Sequence, residues 1–323
     1  MSQNWWARVL PQDSPERPLT TATTGGVPVI LVTGATGKVG YRLLEALADT
    51  GTEATAMVRV EAKGDDLPGS AKHIVASFDE PPPAEVLQSF DRVFLLSPSH
   101  EEQAELEILF IDALVAAGHR PHVVKVAADG FQDPDCDVRI MRNHRLIAAH
   151  LAATDLPATY LAPSGYMENL LASAGRIREE GMIYAPAGDG QLGFIAASDV
   201  ADVAARVLTS AGHEGATYVL TGPELLGYAD VAARVSAVFA RQVMYADLAP
   251  DRAREEWLAR GVPPWDAEAG LETFDWIRRG GAARVTTDVH ELTGEDPRPV
   301  EDWLSEFRAA FLSPEPDAAP PAF

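Results

Sequence analysis

Three glycines in the segment TGATGKVG have the types and spacing needed to bind phosphate groups. Gly34, Gly37 and Gly40 follow the apolar run VPVILVT and precede a stretch with helical spacing. The first glycine permits a tight turn, the second a close approach to a pyrophosphate, and the third close helix–strand packing. The amides at the start of the helix then face the phosphates. The pattern predicts a dinucleotide-binding loop consisting of Gly34, Ala35, Thr36, Gly37, Lys38, Val39 and Gly40.

The residue at the end of the second predicted strand indicates which dinucleotide binds. An NAD site usually has an acidic residue there, which binds the ribose 2′-hydroxyl. In this chain Arg59 ends the strand EATAMVR, and a guanidinium suits a 2′-phosphate. Lys38 could add a second cation, whereas Glu61 is close enough to favour NAD(H). We therefore expect NADP(H), with NAD(H) as the weaker alternative.

Strands alternate with helices over the first half of the chain. Apolar runs predict strands at 27–33, 53–59, 71–77, 91–97, 122–128 and 158–163, and helices at 38–50, 101–117 and 138–153. This alternation implies parallel pairing of the strands. In the second half we expect a helix at 199–208, a strand at 216–222, a helix at 228–240, and mainly helices from 251 onward. The predicted fold class is α/β: a Rossmann-type doubly wound parallel sheet with a smaller, mostly helical C-terminal domain.

The pattern of predicted elements divides the chain into four parts. We expect an N-terminal extension at 1–26, a Rossmann domain at 27–165, a substrate-binding region at 166–312 with some strands that rejoin the main sheet, and a disordered tail at 313–323. Four tryptophans lie in the last helical part, and they either fill its core or line an apolar substrate site: Trp257, Trp265, Trp276 and Trp303.

Composition excludes several classes of protein. The 323 residues include 26 basic and 48 acidic side chains, a net charge of −22, which argues against nucleic-acid and anionic membrane surfaces. No stretch approaches the roughly 20 apolar residues of a membrane-spanning helix. With one cysteine, Cys136, no intrachain disulfide can form. We expect a cytoplasmic monomer or homodimer that binds a small-molecule substrate and holds no metal.

Beyond the glycine loop, two further motifs carry a resemblance to a known family. With Arg59, the segments PSGYMENL (163–170) and SDVADVAA (198–205) make the chain similar to the NmrA-like branch of atypical short-chain dehydrogenases/reductases. The resemblance implies NADP(H) in a cleft at the carboxyl ends of the strands. Leu96, Ser97, Lys125 and Pro163 are expected to line that cleft. Members of the family include quinone, carbonyl and enone reductases, and regulators that bind the cofactor without turnover.

The proton donor of ordinary short-chain dehydrogenases is missing. None of the four lysines has a tyrosine four positions before it. By resemblance, the Ser position of the family falls at Ala127 and its Tyr position falls near His144. The candidate catalytic residues are His144, Lys125 and Tyr166, and Tyr166 and Asn169 could bind substrate. His144 could instead be a hydrogen-bonded helix residue, and Lys125 could instead pair with a buried acid such as an Asp. The acidic run 101–107 reads as a solvated helix face.

Three functions fit these residues. The first is an NADPH-dependent reductase of a ketone, quinone or enone in a medium-sized organic molecule, such as a natural product. The second is a non-catalytic NADP(H) sensor that binds a protein partner, because the usual Tyr and Lys are absent. The third is a redox-neutral epimerase or dehydratase on the same scaffold. A Rossmann fold alone does not distinguish among them.

Overall fold

A seven-stranded parallel sheet forms the centre of the computed structural model, which describes residues 28–68 and 71–312. The strands, in chain order, are β1 (Ile30–Val32), β2 (Ala54–Val58), β3 (Lys72–Val75), β4 (Arg92–Leu95), β5 (His122–Val126), β6 (Ala158–Pro163), β7 (Met182–Ala185), β8 (Gln191–Leu192), β9 (Thr217–Leu220), β10 (Leu226–Gly227) and β11 (Met244–Asp247). The order across the main sheet is β3-β2-β1-β4-β5-β6-β9. The doubly wound α/β fold is confirmed.

Helices cover both faces of this sheet and form most of the C-terminal part. They are α1 (Lys38–Asp49), α2 (Ala84–Leu87), α3 (Gln103–Ala116), α4 (Arg139–Ala152), α5 (Ala174–Glu180), α6 (Ala197–Thr209), α7 (Tyr228–Phe239), α8 (Pro250–Ala259), α9 (Pro264–Arg278), α10 (Asp288–Thr293), α11 (Val300–Glu306) and α12 (Arg308–Leu312). In the part of the chain that the structure describes, 3-10 helices lie at Glu61–Asp66 and Met167–Ser173. None of the described helices is long and apolar enough to cross a bilayer.

The apolar first strand is explained by burial on both of its faces. Ile30 and Val32 pack with α1 and α6, whereas Leu31 packs with α3 and α4. A strand covered on both sides reads as a continuous apolar run rather than an alternating one. Helix α1 buries Leu43 and Leu47 on the face that its spacing predicts. The sheet and its helices therefore fix the glycine loop between β1 and α1.

The C-terminal part shares structure with the main sheet. Strand β9 and helix α6 lie beyond residue 165, yet β9 pairs with β6 of the main sheet and α6 packs on α1. Two small sheets, β8–β10 and β7–β11, were not predicted. Trp276 and Trp303 are 8% and 1% exposed, as expected of core side chains. The boundary between the two domains stays a prediction, and the extension 1–26 and the tail 313–323 lie outside the described residues.

Candidate active site

The glycine loop is held against the end of β4. The Oγ1 of Thr33 accepts a hydrogen bond from the backbone N–H of Leu96 at 2.9 Å and lies 3.0 Å from the carbonyl oxygens of Phe94 and Leu96. Gly34 has a φ of +60°, and a Cβ there would lie 2.7 Å from the carbonyl oxygen of Leu96. Both observations require glycine at this position. Leu96 thus lies beside the loop, where the cofactor cleft is predicted.

The start of α1 has the form of a phosphate cradle. A Cβ on Gly40 would lie 2.2 Å from the carbonyl oxygen of Gly34, so the helix can approach the loop this closely only with glycine. Gly37 caps the helix without a side chain, and the first turn contains no acidic residue. Its N–H groups and the helix dipole are therefore directed toward an incoming anion. These residues fit a pyrophosphate, while the individual cofactor contacts stay predictions.

Arg59 and Glu61 have different surroundings at the end of β2. Arg59 is exposed directly after the strand. A hydrogen bond from Ser77 lowers the pKa of Asp79, and the positive charge of Arg59 adds to this effect. The carboxylate of Glu61 lies 3.0 Å from the Nε2 of His73 on β3. Glu61, the residue that favoured NAD(H), is therefore engaged by the neighbouring strand. The arrangement fits a 2′-phosphate better than a ribose diol.

Lys38 connects the glycine loop to the segment that follows β6. Its Nζ donates a hydrogen bond to the Oδ1 of Asn169 at 3.1 Å. Burial lowers the pKa of Lys38, and the negative charge of Glu168 opposes that change. Asn169, predicted to bind substrate, therefore contacts the predicted cofactor loop directly.

Glu168 fastens the same segment to the rest of the molecule. Its carboxylate is 6% exposed and accepts hydrogen bonds from the N–H of Ala197 and the Nε1 of Trp303, both at 3.1 Å. Ala197 is the first residue of α6, where a carboxylate is favoured by the helix dipole. Burial raises the pKa of Glu168, and the charge of Lys38 opposes this. The segment after β6 is thus tied to α6 and to α11.

Lys125 forms a buried ion pair. Its Nζ lies 2.9 Å from the Oε2 of Glu107, and the two side chains are 1% and 0% exposed. The Oγ of Ser97 donates to the Oε1 of Glu107 at 2.6 Å. Of the two interpretations of Lys125, the structure shows the pairing, with a Glu on α3 rather than an Asp. Its catalytic and cofactor contacts stay predictions, and this burial does not favour them. The expectation that residues 101–107 form a solvated face is wrong for Glu107.

His144 is a buried, neutral histidine. It lies on α4 and is 4% exposed, and its Nδ1 has no hydrogen-bond partner within the described chain. Burial and the charge of Lys125 lower its pKa well below the ordinary value of 6.5. The imidazolium form is therefore scarce at neutral pH. A role as proton donor stays a prediction and would have to use the neutral ring.

Tyr166 follows β6 and packs against the core beneath the glycine loop. Its backbone bridges to Ile195, and its ring contacts the apolar cluster on the α1 and α6 side of the sheet. Burial, and then the charge of Glu168, raise the pKa of its phenol. Tyr166 is thus a neutral hydroxyl that can donate a hydrogen bond. Pro163, the last residue of β6, lies at the carboxyl edge, as the predicted cleft requires.

Some polar residues in this region were missed from the sequence. Glu107 could have been found, because it lies three, four and seven positions before the buried Phe110, Ile111 and Leu114. That spacing places it on the apolar face of α3. Glu168 has no such pattern, since its partners come from distant parts of the chain.

Comparison with known proteins identifies the family. A family model described as NAD(P)H-binding matches residues 34–211, more than half of the chain. The chain belongs to this NAD(P)H-binding family, in the NmrA-like branch of atypical short-chain dehydrogenases/reductases. The resemblance stated from the sequence is thereby confirmed.

Relatives of this NmrA-like protein match over nearly their whole length. A (4-alkanoyl-5-oxo-2,5-dihydrofuran-3-yl)methyl phosphate reductase of Streptomyces griseus is 35% identical over 88% of this chain and 99% of its own. An NAD(P)H azoreductase of Xenophilus azovorans is 31% identical over the same shares. The NADPH complex of an Escherichia coli quinone oxidoreductase has a TM-score of 0.78 and 26% identity, over 86% of this chain and 99% of that one. This NmrA-like protein is an NAD(P)H-dependent oxidoreductase, and the NADPH bound by the Escherichia coli relative supports the expectation of NADP(H).

Proposed function

We propose that this protein is an NADPH-dependent reductase of a ketone, quinone or enone in a medium-sized organic molecule. The observation that carries the proposal is the intact phosphate cradle of residues 34–40, joined through Lys38 to the segment after β6. The glycines bring the loop and the start of α1 close together, so that the free N–H groups of the helix and the cation of Lys38 lie at one place. The names of the Streptomyces and Escherichia relatives support an enone and a quinone as candidate substrates.

The chain's residues would bind and orient rather than react. NADPH, when bound, supplies a hydride to an electrophilic carbon. The amides of the glycine loop would hold the pyrophosphate, and Arg59 the 2′-phosphate. Much of the rate of hydride transfer comes from such positioning, which does not need a Tyr-x-x-x-Lys pair. The neutral hydroxyl of Tyr166 is the candidate donor to a substrate oxygen, with neutral His144 as an alternative source of the proton.

The absence of the Tyr-x-x-x-Lys pair favours one other function, a sensor that binds NADP(H) without turnover. The experiment that separates the candidates mixes purified protein and NADPH with ketones, enones and quinones and follows the absorbance of NADPH. Its consumption with at least one compound supports the reductase. Tight cofactor binding without consumption, together with partner-dependent affinity, supports the sensor and overturns the proposal. Product formation without net loss of NADPH supports a redox-neutral enzyme and likewise overturns it.

A further inference from the structure

Three polar side chains lie side by side at the carboxyl edge of the sheet, just past the ends of β5, β6 and β9. The backbone N–H of Asp129 donates to the carbonyl oxygen of Pro163 at 2.9 Å. The backbone N–H of Ser164 donates to the carbonyl oxygen of Leu220, also at 2.9 Å. These bonds extend the strand pairings beyond the strands themselves. The register then places Asp129 beside Ser164, and Ser164 beside Thr221. Neighbours in register share a face of the sheet.

This polar row faces the C-terminal helices. Two positions earlier on the same face, Ala127 and Ala162 belong to the apolar cluster that includes Trp276 on α9. In open α/β sheets, ligands bind outside the carboxyl ends of the strands. The row therefore lies where the sheet and the C-terminal region meet, at the edge that carries the predicted cofactor cleft.

Two members of the row are buried without completed hydrogen bonds. Thr221 is satisfied, since its Oγ1 accepts from the N–H of Thr286 and donates to the carbonyl oxygen of Gly222, both at 3.0 Å. Asp129 and Ser164 are 5% and 6% exposed, yet neither carboxylate oxygen nor the Oγ of Ser164 completes a hydrogen bond within the described chain. Buried polar atoms rarely lack partners, and such exceptions occur where a ligand supplies them.

The carboxylate of Asp129 lies beside the guanidinium of Arg284. The Nη2 of Arg284 forms an ion pair with the carboxylate at 3.2 Å from Oδ1, and the backbone N–H of Gly130 also faces the carboxylate. Burial raises the pKa of Asp129, and the charge of Arg284 opposes this. Because Arg284 already offsets the negative charge, the carboxylate suits a neutral hydrogen-bond donor better than a cation.

Trp276 adds a donor to the same place. It is 8% exposed, and its Nε1 has no partner among the described residues. That nitrogen would lie 3.4 Å from a Cβ on Gly130, the residue next to Asp129. The indole N–H can therefore donate to an oxygen that lies between α9 and the polar row.

We propose that Asp129, Ser164 and Trp276 form a specificity site that binds a hydroxyl group next to the reactive carbonyl of the substrate. The carboxylate accepts a hydrogen bond from the substrate hydroxyl, the indole N–H donates one to a substrate oxygen, and the hydroxyl of Ser164 can donate or accept. The proposal rests on the proposed function and names its substrate class as hydroxy-carbonyl compounds. A site with buried polar groups rejects analogues that lack the matching group, because its own groups then remain unpaired.

The test compares two ketones that differ only in this hydroxyl, 2-hydroxy-1-tetralone and 1-tetralone. Their affinities are measured by calorimetry in the presence of saturating NADP⁺, for the wild type and for Asp129→Asn, Ser164→Ala and Trp276→Phe. We expect the wild type to bind the hydroxy ketone at least tenfold more tightly. Each variant should reduce this preference at least threefold. Asp199→Asn, which alters another buried carboxylate on α6, should leave the preference unchanged.

Each outcome decides for or against the specificity site. Equal affinities in the wild type, no binding of either ketone, or a preference unchanged in all three site variants would overturn it. Since Ser164 lies on the sheet and Trp276 on α9, misfolding of one variant leaves the other as a test. NADPH consumption with the wider panel is scored separately. A hydroxyl preference without NADPH consumption supports the specificity site and contradicts the proposed reductase function. NADPH consumption without a hydroxyl preference supports the reductase function and contradicts the specificity site.

Discussion

The Nζ of Lys38 donates to the Oδ1 of Asn169 at 3.1 Å and so joins two segments separated by 131 positions. Lys38 lies in the glycine loop, and Asn169 lies in the segment after β6, where we expected it to bind substrate. The contact places the two predicted sites next to each other. It also suggests that Asn169 acts on the cofactor by orienting the lysine.

Asn169→Ala should therefore weaken the binding of NADPH. Without its partner, the ammonium of Lys38 is less well oriented, and we expect a roughly three- to tenfold higher Kd, which corresponds to about 1 kcal/mol for one lost hydrogen bond. Calorimetric titration with NADPH measures this. Asn143→Ala, which removes a hydrogen bond to the carbonyl oxygen of His100, is the matched control. An unchanged Kd with a raised KM for substrate would instead assign Asn169 to the substrate.

Arg59→Glu should reverse the preference between the two nicotinamide dinucleotides. A guanidinium attracts the 2′-phosphate, whereas a carboxylate repels it and can bind the ribose 2′-hydroxyl. We expect the Kd for NADPH to rise by roughly a hundredfold and that for NADH by less than threefold, since about 1.4 kcal/mol corresponds to each factor of ten. Arg120→Glu makes the same charge change at an exposed residue that pairs with Asp155, and should affect neither Kd. Equal losses for both cofactors would show that Arg59 does not contact the 2′-phosphate.

Breaking the buried pair of Lys125 and Glu107 should destabilise the protein more than removing both partners. Lys125→Met leaves a buried carboxylate without its cation, which costs about 3–5 kcal/mol of unfolding free energy. The double variant Lys125→Met, Glu107→Leu should recover most of this loss. Urea unfolding of the two variants and of Glu107→Leu measures the coupling. If the double variant also retains NADPH binding, the pair is structural; if the affinity falls more than tenfold in a folded double variant, Lys125 or Glu107 contributes to the cofactor site.

If His144 and not the phenol of Tyr166 supplies the proton, His144→Ala should lower turnover without changing the affinity for NADPH. A general acid contributes roughly 10²–10⁴-fold, and we expect the lower end, since only the neutral ring is available. Because the pKa of His144 is lowered well below 6.5 by burial and by Lys125, the activity should show no histidine ionisation between pH 6 and 8. The pH profile of kcat checks this in the wild type. A wild-type transition near pH 6.5 that is lost in His144→Ala would contradict the neutral assignment.

Asp199 should make the protein less stable as the pH rises from 4 to 7. Burial raises the pKa of Asp199 from 3.8 to about 7, against the opposing effects of the Arg298 N–H and charge. Between those pH values the folded state holds a proton that the unfolded state has released, so stability falls with increasing pH, by at most about 1.4 kcal/mol per pH unit. Asp199→Asn keeps an acceptor for the Arg298 N–H. Its thermal midpoint relative to wild type should therefore rise between pH 4 and 8, and an unchanged difference would contradict the raised pKa.

The main sheet could be predicted from the sequence because its strands are buried on both faces. The expected strands at 27–33 and 122–128 both overlap observed strands, and α1 begins at Lys38 as predicted. Strand β11 could not be predicted in the same way. It has four residues, and it pairs with β7, which lies about 60 positions earlier. No local pattern encodes a pairing over that distance.

The candidate site shows the same difference between local and distant information. The requirement for glycine at Gly34 and Gly40 arises within a few residues, so the motif revealed it. The partners of Lys125 and Lys38 lie on separate elements, and only the folded chain shows that they are Glu107 and Asn169. The sequence therefore predicted which residues carry charge near the cleft, but not which of those charges are already paired.

The most direct test of the account follows the hydride itself. NADPH that carries deuterium at the transferred position of C4 is incubated with the protein and with the ketones and enones of the panel, and the products are examined by mass spectrometry and NMR. We predict that at least one product gains one deuterium on carbon for each NADPH consumed, and that the Arg59→Glu variant loses this activity at low NADPH concentration. If no compound acquires deuterium while NADPH stays bound and intact, the protein is not a reductase of these compounds.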